Sequence, residues 1–418
     1  FVPLGMSARL HGDAKLLDAT RWIQLHTPMG GSAELQRRAN AYNGGVAFRQ
    51  AIFYFLLLDP KAPPPVDPRA TLPRTHFGEG LNQVFSRTDW SQNASWFTYQ
   101  LGWASIDHQH GDANTFSLYR KGEWLTKERV GYGWNFDNSD QHNTLTVENE
   151  KPYHPDEDRR GSFWKRGSQW VLGTTGDPKL LAKSLHDEFV YVMGDASATY
   201  NSAYEGIDDV QHVSRSLVWL KPDHIVVYDR AKTGDKARAK RFWLQTAKPA
   251  RVQGTLATAT TARGQQLFVH TLLPAGARVE ALPYRGSNTW PLQPASGETM
   301  LASIRVEAAT PAEQVRFLHV LQGADAGAKP DGAVLVRCDD GACEGAAVGA
   351  FAVVFPVKTG LLREVKVRVP ARASRVMVTG LTPGGSYEAT RTPLGDQVQV
   401  VVRAGQGAKA DQGGVLRL

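Results

Sequence analysis

Long hydrophobic runs, blocks of basic residues and cysteines are scarce in this sequence of 418 residues. The longest apolar run, residues 51–58, is far shorter than the roughly 20 residues that a transmembrane helix needs. The net charge is +7, but the lysines and arginines are spread along the chain, which argues against a nucleic-acid-binding tail. We therefore expect no membrane span and no nucleic-acid partner, whereas an acidic polymer would suit the basic charge.

Nucleotide-binding motifs are also lacking. The sequence has no glycine-rich strand–loop–helix and no Walker-type loop, so we expect no organic cofactor. A serine nucleophile elbow is absent as well. The sequence does not exclude glycoside hydrolysis by a pair of carboxylates, because two such residues can lie far apart in the sequence.

The two cysteines, Cys338 and Cys343, flank an Asp-Asp-Gly sequence that is typical of a turn. Such a turn would bring both thiols to the tip of a hairpin, where a local disulfide can form in an oxidising compartment. The alternative is a pair of unpaired surface thiols. A zinc knuckle would need further ligands, and none lie nearby in the sequence.

The N-terminal part of the chain has helical periodicity. Residues 1–60 are predicted to be helical, with apolar residues at helical spacing in 16–23 and 46–58. Residues 61–75 are rich in proline and are predicted to form a semi-rigid linker. We expect a domain boundary at this linker.

From residue 76 onward the hydrophobic period changes to two, and Gly, Pro, Asp and Asn separate short predicted strands. The clearest strands are residues 216–220 and 225–228, joined by a hairpin turn. This pattern predicts a mainly β fold, a large antiparallel sandwich preceded by helices. We expect a central sandwich at residues 76–310 and further strands or a C-terminal β domain at 311–418.

The stretch Asp107-His108-Gln109-His110-Gly111-Asp112 lies between two predicted strands. Side chains alternate along extended backbone, so His108 and His110 are predicted to lie on the same side. Two imidazoles on one face, with Asp107 and Asp112 nearby, can bind a metal or transfer protons. The alternative is an ordinary hydrogen-bonded turn lined by polar residues.

A longer pattern surrounds this stretch. Arg87-Thr88-Asp89-Trp90 precedes it, residues 114–125 follow, and His142-Asn143-Thr144 opens a later predicted strand. In this order the motifs resemble those of heparinase II/III-like polysaccharide lyases, most clearly over residues 87–147. The resemblance implies an incomplete (α/α) toroid joined to an antiparallel β-sandwich, and β-elimination at a uronic acid of an anionic polysaccharide. It also implies a periplasmic or secreted protein.

The resemblance implies a catalytic role for His108, which matches the histidine that shares base and acid duty with a toroid tyrosine. In the family an Asn, Gln or second His neutralises the substrate carboxylate. Asn40, Tyr42 and Tyr54 are available in this chain, but they lie close to the linker. Because the chain starts at Phe1 without an initiator Met, we expect the catalytic tyrosine and the rest of the toroid upstream of that residue.

The resemblance also implies a zinc site in several members of the family, at positions that match His110, Lys127 and His142. Lys127 is a departure, because a protonated lysine repels a cation and cannot ligate it. Either Glu128 or Asp112 supplies the oxygen ligand, or the site is free of metal and Lys127 takes over the structural charge.

Further residues are candidates for substrate contact. Arg87 could pair with a substrate carboxylate, or form a salt bridge at a strand edge. Tyr132 and Trp134 could stack on sugar rings, or pack in the core. Arg215 lies in a stretch that also resembles the family, and we interpret it as holding strands together.

Two other functions fit the same residues. If the toroid tyrosine is never supplied, the chain could be a non-catalytic carbohydrate-binding or scaffold module. A uronyl C5-epimerase would share the proton abstraction but reprotonate C5 in place of expelling O4.

Overall fold

The computed structural model describes residues 2–26, 59, 61–102, 110–129, 138–149, 166–170, 176–203, 206–284 and 300–418. The chain divides into two compact units, Phe1–Pro73 and Arg74–Leu418. None of the helices in the described ranges combines the length and the apolarity that a membrane span requires.

The first unit contains two helices, α1 (Val2–Leu10) and α2 (Ala14–His26). The Asp13 side chain accepts a hydrogen bond from the backbone N–H of Leu16 at 2.9 Å, which caps the start of α2. The side chain of Asp18 accepts from the N–H of Val66 at 2.9 Å, so the proline-rich segment lies against α2. The predicted helix at residues 46–58 lies outside the described residues.

The second unit is built from β-strands. The first half comprises β1 (Thr75–Gly78), β2 (Gln83–Arg87), β3 (Ser95–Gln100), β4 (Thr115–Arg120), β5 (Glu123–Thr126), β6 (Leu145–Val147), β7 (Lys179–Leu185), β8 (Phe189–Asp195), β9 (Val210–Leu220), β10 (His224–Thr233), β11 (Lys240–Thr246), β12 (Arg251–Gln253) and β13 (Leu256–Thr260). The second half comprises β14 (Gln266–Leu273), β15 (Arg278–Pro283), β16 (Ala302–Glu307), β17 (Gln314–Ala324), β18 (Ala333–Arg337), β19 (Cys343–Val348), β20 (Phe351–Pro356), β21 (Glu364–Pro370), β22 (Arg375–Val378), β23 (Ser386–Leu394), β24 (Gln397–Ala404), β25 (Ala408–Lys409) and β26 (Leu416–Arg417).

The described strands form five sheets. Their orders are β1-β2-β3-β4-β5, β12-β13-β14-β17-β10-β9-β8-β7, β15-β16-β11-β6, β18-β19-β20-β22-β26 and β21-β24-β23-β25. Strands β20 and β22 pair in parallel, whereas the long central pairs such as β9 with β10 and β10 with β17 are antiparallel. The predicted mainly β, antiparallel fold is confirmed.

These sheets stack in four layers. The five-stranded sheet β1–β5 and the sheet containing β11 together pack on one face of the eight-stranded sheet, hereafter the middle sheet. For example, the rings of Phe97 and Trp219 lie 5.4 Å apart across this core. The sheet containing β20 covers the other face of the middle sheet, where Tyr228 stacks on Phe355 at 5.6 Å. The sheet containing β21 forms the fourth layer.

Burial on both faces explains the sequence of the middle sheet. All residues of β9 from Val213 to Leu220 are buried, and the last four of them form a continuous apolar run, as expected for a strand covered on both faces. Each large aliphatic side chain buried in this way stabilises the fold by about 1.5–3 kcal/mol. The strands after residue 311 do not all belong to the C-terminal layers. Strand β17, which begins at Gln314, lies in the middle sheet between β14 and β10. The third and fourth layers are formed by the strands from Ala333 onward.

Candidate active site

Three polar side chains from separate segments meet at one end of the five-stranded sheet. Asp112 precedes β4, Glu128 follows β5, and His142 precedes β6. Strands β4 and β5 are antiparallel neighbours, with Leu118 opposite Thr126, so the start of β4 lies beside the end of β5. As a result, one potential ligand atom from each of the three residues lies within 4.8 Å of the others. We call these three residues the acid–histidine cluster.

His142 is the most enclosed member of the acid–histidine cluster. Its side chain is fully buried, and its Nδ1 lies 2.8 Å from Oε2 of Glu128. In the described part of the chain its Nε2 is buried without a hydrogen-bond partner. The ring of His110 lies close by, with 5.0 Å between the ring centroids. Because a buried ring nitrogen is costly without a partner, Nε2 marks a position where a ligand could bind.

Burial and mutual charge separate the pKa values of the acid–histidine cluster. Burial acts to lower the pKa of His142, but the hydrogen bond and charge of Glu128 raise that pKa above its ordinary value. Burial acts to raise the pKa of Glu128, and the contact with His142 outweighs it, so the pKa lies below its ordinary value. Burial and then the charge of Glu128 raise the pKa of Asp112 to about 7. These shifts favour the charged forms of Glu128 and His142 while the two groups are paired, and they favour the protonated form of Asp112.

The donor atoms of the cluster fit a divalent metal such as zinc. Imidazole nitrogens and carboxylate oxygens are ordinary zinc ligands, and the unpartnered buried atom is a histidine nitrogen. Lys127 contributes no ligand: its Nζ lies 5.3 Å from the ring centre of Trp124, and the residue is 8% exposed. The neighbouring Glu128 brings a carboxylate to the cluster in its place.

Asn143 holds together the segments that carry the cluster. Its Nδ2 donates to the backbone oxygen of Phe116 at 2.7 Å and to Oγ1 of Thr126 at 2.8 Å. Its Oδ1 accepts a 2.7 Å hydrogen bond from the backbone of β11. Oγ1 of Thr144 donates to the backbone oxygen of Ala113 at 2.7 Å. The Asn and Thr of the His-Asn-Thr motif are thus fully used in fixing the adjacent histidine against β4 and β5.

A buried ion pair in the middle sheet supports the same segments. Arg215 of β9 and Asp229 of β10 lie opposite each other and form two hydrogen bonds, of 2.6 and 2.8 Å. Both side chains are 1% exposed. Nη1 of Arg215 also donates to the backbone oxygens of Asn114 and Asn143, at 2.6 and 2.5 Å. These two carbonyls belong to the loops that carry the cluster, so Arg215 positions the cluster from the middle sheet.

A row of cations and aromatic rings crosses the outer face of the five-stranded sheet. Arg87, Trp96, Tyr119 and Trp124 lie opposite one another on β2, β3, β4 and β5. The ring centroids are 4.9 and 5.1 Å apart, and the Arg87 guanidinium lies 4.6 Å from the centre of the Trp96 ring. We call these rings and Arg87 the aromatic row. Lys127 contacts the Trp124 ring at the other end of the row, and it is the residue before Glu128 of the acid–histidine cluster.

The residues predicted for the site have different outcomes. His110 and His142 lie side by side. His108, Tyr132 and Trp134 lie outside the described residues. Arg87 lies at the far end of the aromatic row, stacked on Trp96.

Cys338 and Cys343 are joined by a disulfide, with 5.1 Å between their Cα atoms. Residue 343 begins β19, and residue 338 forms an isolated β-bridge to Val367. The disulfide therefore closes a short turn where the third and fourth layers meet.

Three buried or half-buried glutamines serve the site without having been singled out in the sequence. Nε2 of Gln100 donates to Oδ2 of Asp112 at 3.0 Å. Gln169 forms two hydrogen bonds with the backbone of Ala113. Nε2 of Gln245 donates to the backbone oxygen of the histidine in the cluster at 3.2 Å. An amide side chain within or beside an apolar strand is the signal that could have indicated them, since buried polar groups need partners.

Comparison with solved structures identifies proteins of similar fold. No protein-family model matches the sequence, and no curated protein matches it either. The heparan sulfate lyase HepC from Pedobacter heparinus is similar over 78% of this chain and 48% of that chain, with 13% identity and a TM-score of 0.51. A heparinase III gene product is similar over 80% of this chain and 46% of its own, with 12% identity and a TM-score of 0.50. The chain spans about half the length of these solved structures, and over the matched part it has the fold of heparan sulfate lyase structures.

Proposed function

We propose that the protein is a polysaccharide lyase that cleaves a uronate-containing anionic polysaccharide by β-elimination. The observation that carries this proposal is the contact of half-buried Glu128 with the buried His142, together with Asp112 and beside His110. His108 lies two residues before His110 in the sequence. The shared fold with heparan sulfate lyase structures supports the same reaction class.

The chemistry assigns work to these residue types. A base removes the proton from C5 of the uronate, its electron pair forms a C4–C5 double bond, and the C4–O4 bond breaks. An acid then protonates the departing O4. We assign one of these proton transfers to His108, whose ordinary pKa lies close to neutral pH. The other belongs to a tyrosine of the helical domain, by resemblance to the family.

The acid–histidine cluster holds the histidine-bearing segments in place. His110, His142, Glu128 and Asp112 are the residues that would hold a zinc ion. When bound, zinc supplies a fixed positive charge that joins the segments and attracts anionic groups of the substrate. The hydrogen bond between Glu128 and His142, at 2.8 Å, already joins two of these segments.

Features outside the cluster suit an anionic sugar polymer. Trp96 in the aromatic row is 38% exposed, and an aromatic face of this kind can stack on a sugar ring. Arg87 at the far end of the row can pair with a uronate carboxylate. The net charge of +7 attracts a polyanion. We also propose a periplasmic or secreted location, because disulfides such as Cys338–Cys343 persist in oxidising compartments.

The test of the activity is an assay of the full-length gene product on uronate polymers, followed by ultraviolet absorbance of the unsaturated product. Replacing His108 with Ala should lower turnover by at least ~100-fold, as is usual for loss of a proton-transfer group. The exposed His76 provides the control, and its replacement with Ala should leave turnover unchanged. Absence of unsaturated product from every polymer would contradict the lyase. Deuterium uptake at C5 without cleavage would instead identify an epimerase.

Zinc binding is testable without an activity assay. We expect about one zinc per chain by elemental analysis, and loss of the metal in His142→Ala and Glu128→Ala, because each removes a ligand of the cluster. His224→Ala is a matched control, since His224 pairs with Asp331 at 3.0 Å on the surface. A protein that stays free of zinc after equilibration with the ion, and melts at the same temperature with and without it, would contradict the metal site.

A further inference from the structure

A large cleft opens where the layers of the second unit meet, with a volume of about 1180 Å³. It is lined by the turn between β2 and β3, the β7–β8 and β9–β10 turns of the middle sheet, and strands of the third layer. Arg120, the last residue of β4, lines the cleft, whereas Asp112 lies before the first residue of that strand. Since six extended residues span about 17–20 Å, the cleft and the acid–histidine cluster lie at opposite ends of β4.

The carboxylates that line the cleft are already engaged. In the part of the chain that the structure describes, five carboxylates line it: Asp89, Asp187, Glu188, Asp223 and Asp411. Three of them form ion pairs, with Arg74 at 2.9 Å, with Arg417 at 2.8 Å and with Arg120 at 2.8 Å. The other two, Asp89 and Asp411, accept hydrogen bonds from serines at 2.7 and 2.8 Å and keep an unpaired negative charge among the described residues.

Six cations from the described segments line the same cleft: Arg120, Lys121, Lys221, Arg375, Lys409 and Arg417. Lys121 pairs with Asp325 at 2.7 Å, so it is satisfied together with the two arginines already paired. For Lys221, Arg375 and Lys409 no carboxylate of the described residues lies within 4.0 Å of the charged nitrogen. Within the described residues the cleft therefore presents three cations without an ion-pair partner against two such carboxylates, an excess of one positive charge.

Lys221 is the most constrained of these three. Its Nζ donates to Oγ1 of Thr75 at 3.1 Å and lies 5.1 Å from the centre of the Trp219 ring. Burial lowers the pKa of Lys221 to about 8, which means that its charged form is poorly solvated. An anion entering the cleft would restore the interactions that water cannot fully supply.

The cleft also has apolar faces between its charges. The Arg375 guanidinium lies 5.3 Å from the ring centre of Phe351, and the guanidinium of Arg417 lies 5.7 Å from that of Phe189. Aromatic faces and cations in one cleft suit a ligand that alternates apolar ring faces with anionic groups. The volume exceeds that of a pocket for a single small molecule, so a stretch of several sugar rings fits the space.

We propose that this cleft is a second binding site, for a stretch of anionic polysaccharide whose carboxylate or sulfate groups pair with Lys221, Arg375 and Lys409. The choice of a polysaccharide rests on the proposed function, while the anion site rests on the cleft itself. Holding one polymer at both ends of β4 raises the effective concentration of the chain at the acid–histidine cluster. The second site therefore increases the affinity for polymers long enough to reach both sites, and it does not increase the affinity for shorter fragments.

The test compares two triple variants of the full-length protein. Lys221→Ala/Arg375→Ala/Lys409→Ala removes the unpaired cations of the cleft, and Lys329→Ala/Lys358→Ala/Arg363→Ala removes the same charge from exposed positions elsewhere. The probes are a labelled heparin oligosaccharide and a labelled oligogalacturonate of equal length. We expect the cleft variant to bind at least one probe ~10-fold more weakly and less salt-dependently, while the control variant binds as the unaltered protein does.

The double variant Arg375→Glu/Lys409→Glu at exposed positions keeps the test valid if loss of the half-buried Lys221 impairs folding. It should weaken binding in the same direction. Equal affinity of all variants for both probes would overturn the second site, and so would an equal loss in the cleft and control variants. If cleft-dependent binding is found but no polymer yields unsaturated product, the second site stands and the lyase fails. If unsaturated product is formed but the cleft variant binds both probes as the unaltered protein does, the lyase stands and the second site fails.

Discussion

At the level of single residues, Arg215 connects the middle sheet to the candidate active site. It forms two hydrogen bonds with Asp229 and two with backbone oxygens of the loops that carry the acid–histidine cluster. A lysine has a single ammonium group and cannot bridge all four acceptors. The arginine is therefore required for its geometry as well as for its charge.

Replacement of Arg215 with Lys keeps the charge but leaves at least one buried acceptor without a donor, so it should destabilise the protein by about 1–3 kcal/mol. Urea unfolding would measure this loss. Arg403→Lys is the matched control, because Arg403 and Glu364 form an exposed pair at 2.8 Å, and exposed pairs contribute at most about 1 kcal/mol. Equal losses in the two variants would contradict the assigned role of Arg215.

His319 predicts a specific response to acid. It is fully buried in the middle sheet, its Nδ1 lies 3.2 Å from Oγ1 of Thr271, and burial lowers its pKa to about 3. An unfolded histidine has a pKa of about 6.5, so between these values the unfolded chain binds the extra proton. Stability should therefore fall as the pH falls through this window, by about 1.4 kcal/mol per pH unit from this residue.

The variant His319→Asn has no such proton to gain. Its deficit in unfolding free energy relative to the unaltered protein should shrink as the pH is lowered through the window, as measured by denaturant titrations. The exposed His76→Asn serves as the control and should show a constant difference. A deficit of His319→Asn that stays constant would show that burial does not hold this histidine neutral.

At the level of elements, the aromatic row depends on the register of β2 to β5. Trp96→Ala interrupts the row between Arg87 and Tyr119, and we expect it to weaken oligosaccharide affinity about 3–10-fold, in the range of a lost aromatic contact. Phe85→Ala is the control, because Phe85 is 44% exposed on β2 but lies opposite Thr98 and outside the row. If both variants lose affinity equally, the row is not the binding surface.

The strands that could be predicted are those in which a run of apolar residues indicates burial. The apolar runs at 216–220 and 225–228 fall within β9 and β10, which pair across the predicted turn with Leu220 opposite His224. Such runs are expected for strands covered on both faces. The order in which the sheets stack could not be predicted from the sequence. A hydrophobic period of two shows that a strand has a buried face, but it does not show which sheet covers that face.

The candidate site depends on contacts between segments that lie far apart in the sequence. Glu128 and Asp112 are the two alternatives for the oxygen ligand of a zinc site, and the structure brings both carboxylates close to His142. This meeting depends on the β4–β5 hairpin and on the hydrogen bonds of Asn143, which join segments far apart in the sequence. Distances of that kind are set by tertiary packing, and local residue patterns do not determine them.

At the level of the whole molecule, the third layer is needed to cover the middle sheet. Tyr228 stacks on Phe355, and its hydroxyl donates to Glu344 at 2.7 Å. A chain ending after residue 325 would expose this apolar face, so we expect it to aggregate and to bind a hydrophobic dye. The chain starting at Arg74 is the control, because it keeps all four layers and should unfold cooperatively. A soluble, cooperative chain without the third and fourth layers would contradict their covering role.

Burial of the middle sheet on both sides also has a consequence for amide hydrogen exchange. The backbone N–H groups of β9, β10 and β17 lie between two apolar cores and are paired on both edges. Their exchange requires the layers to separate, so these amides should exchange only through global unfolding. The molecule thus has a slowly exchanging centre in its middle sheet.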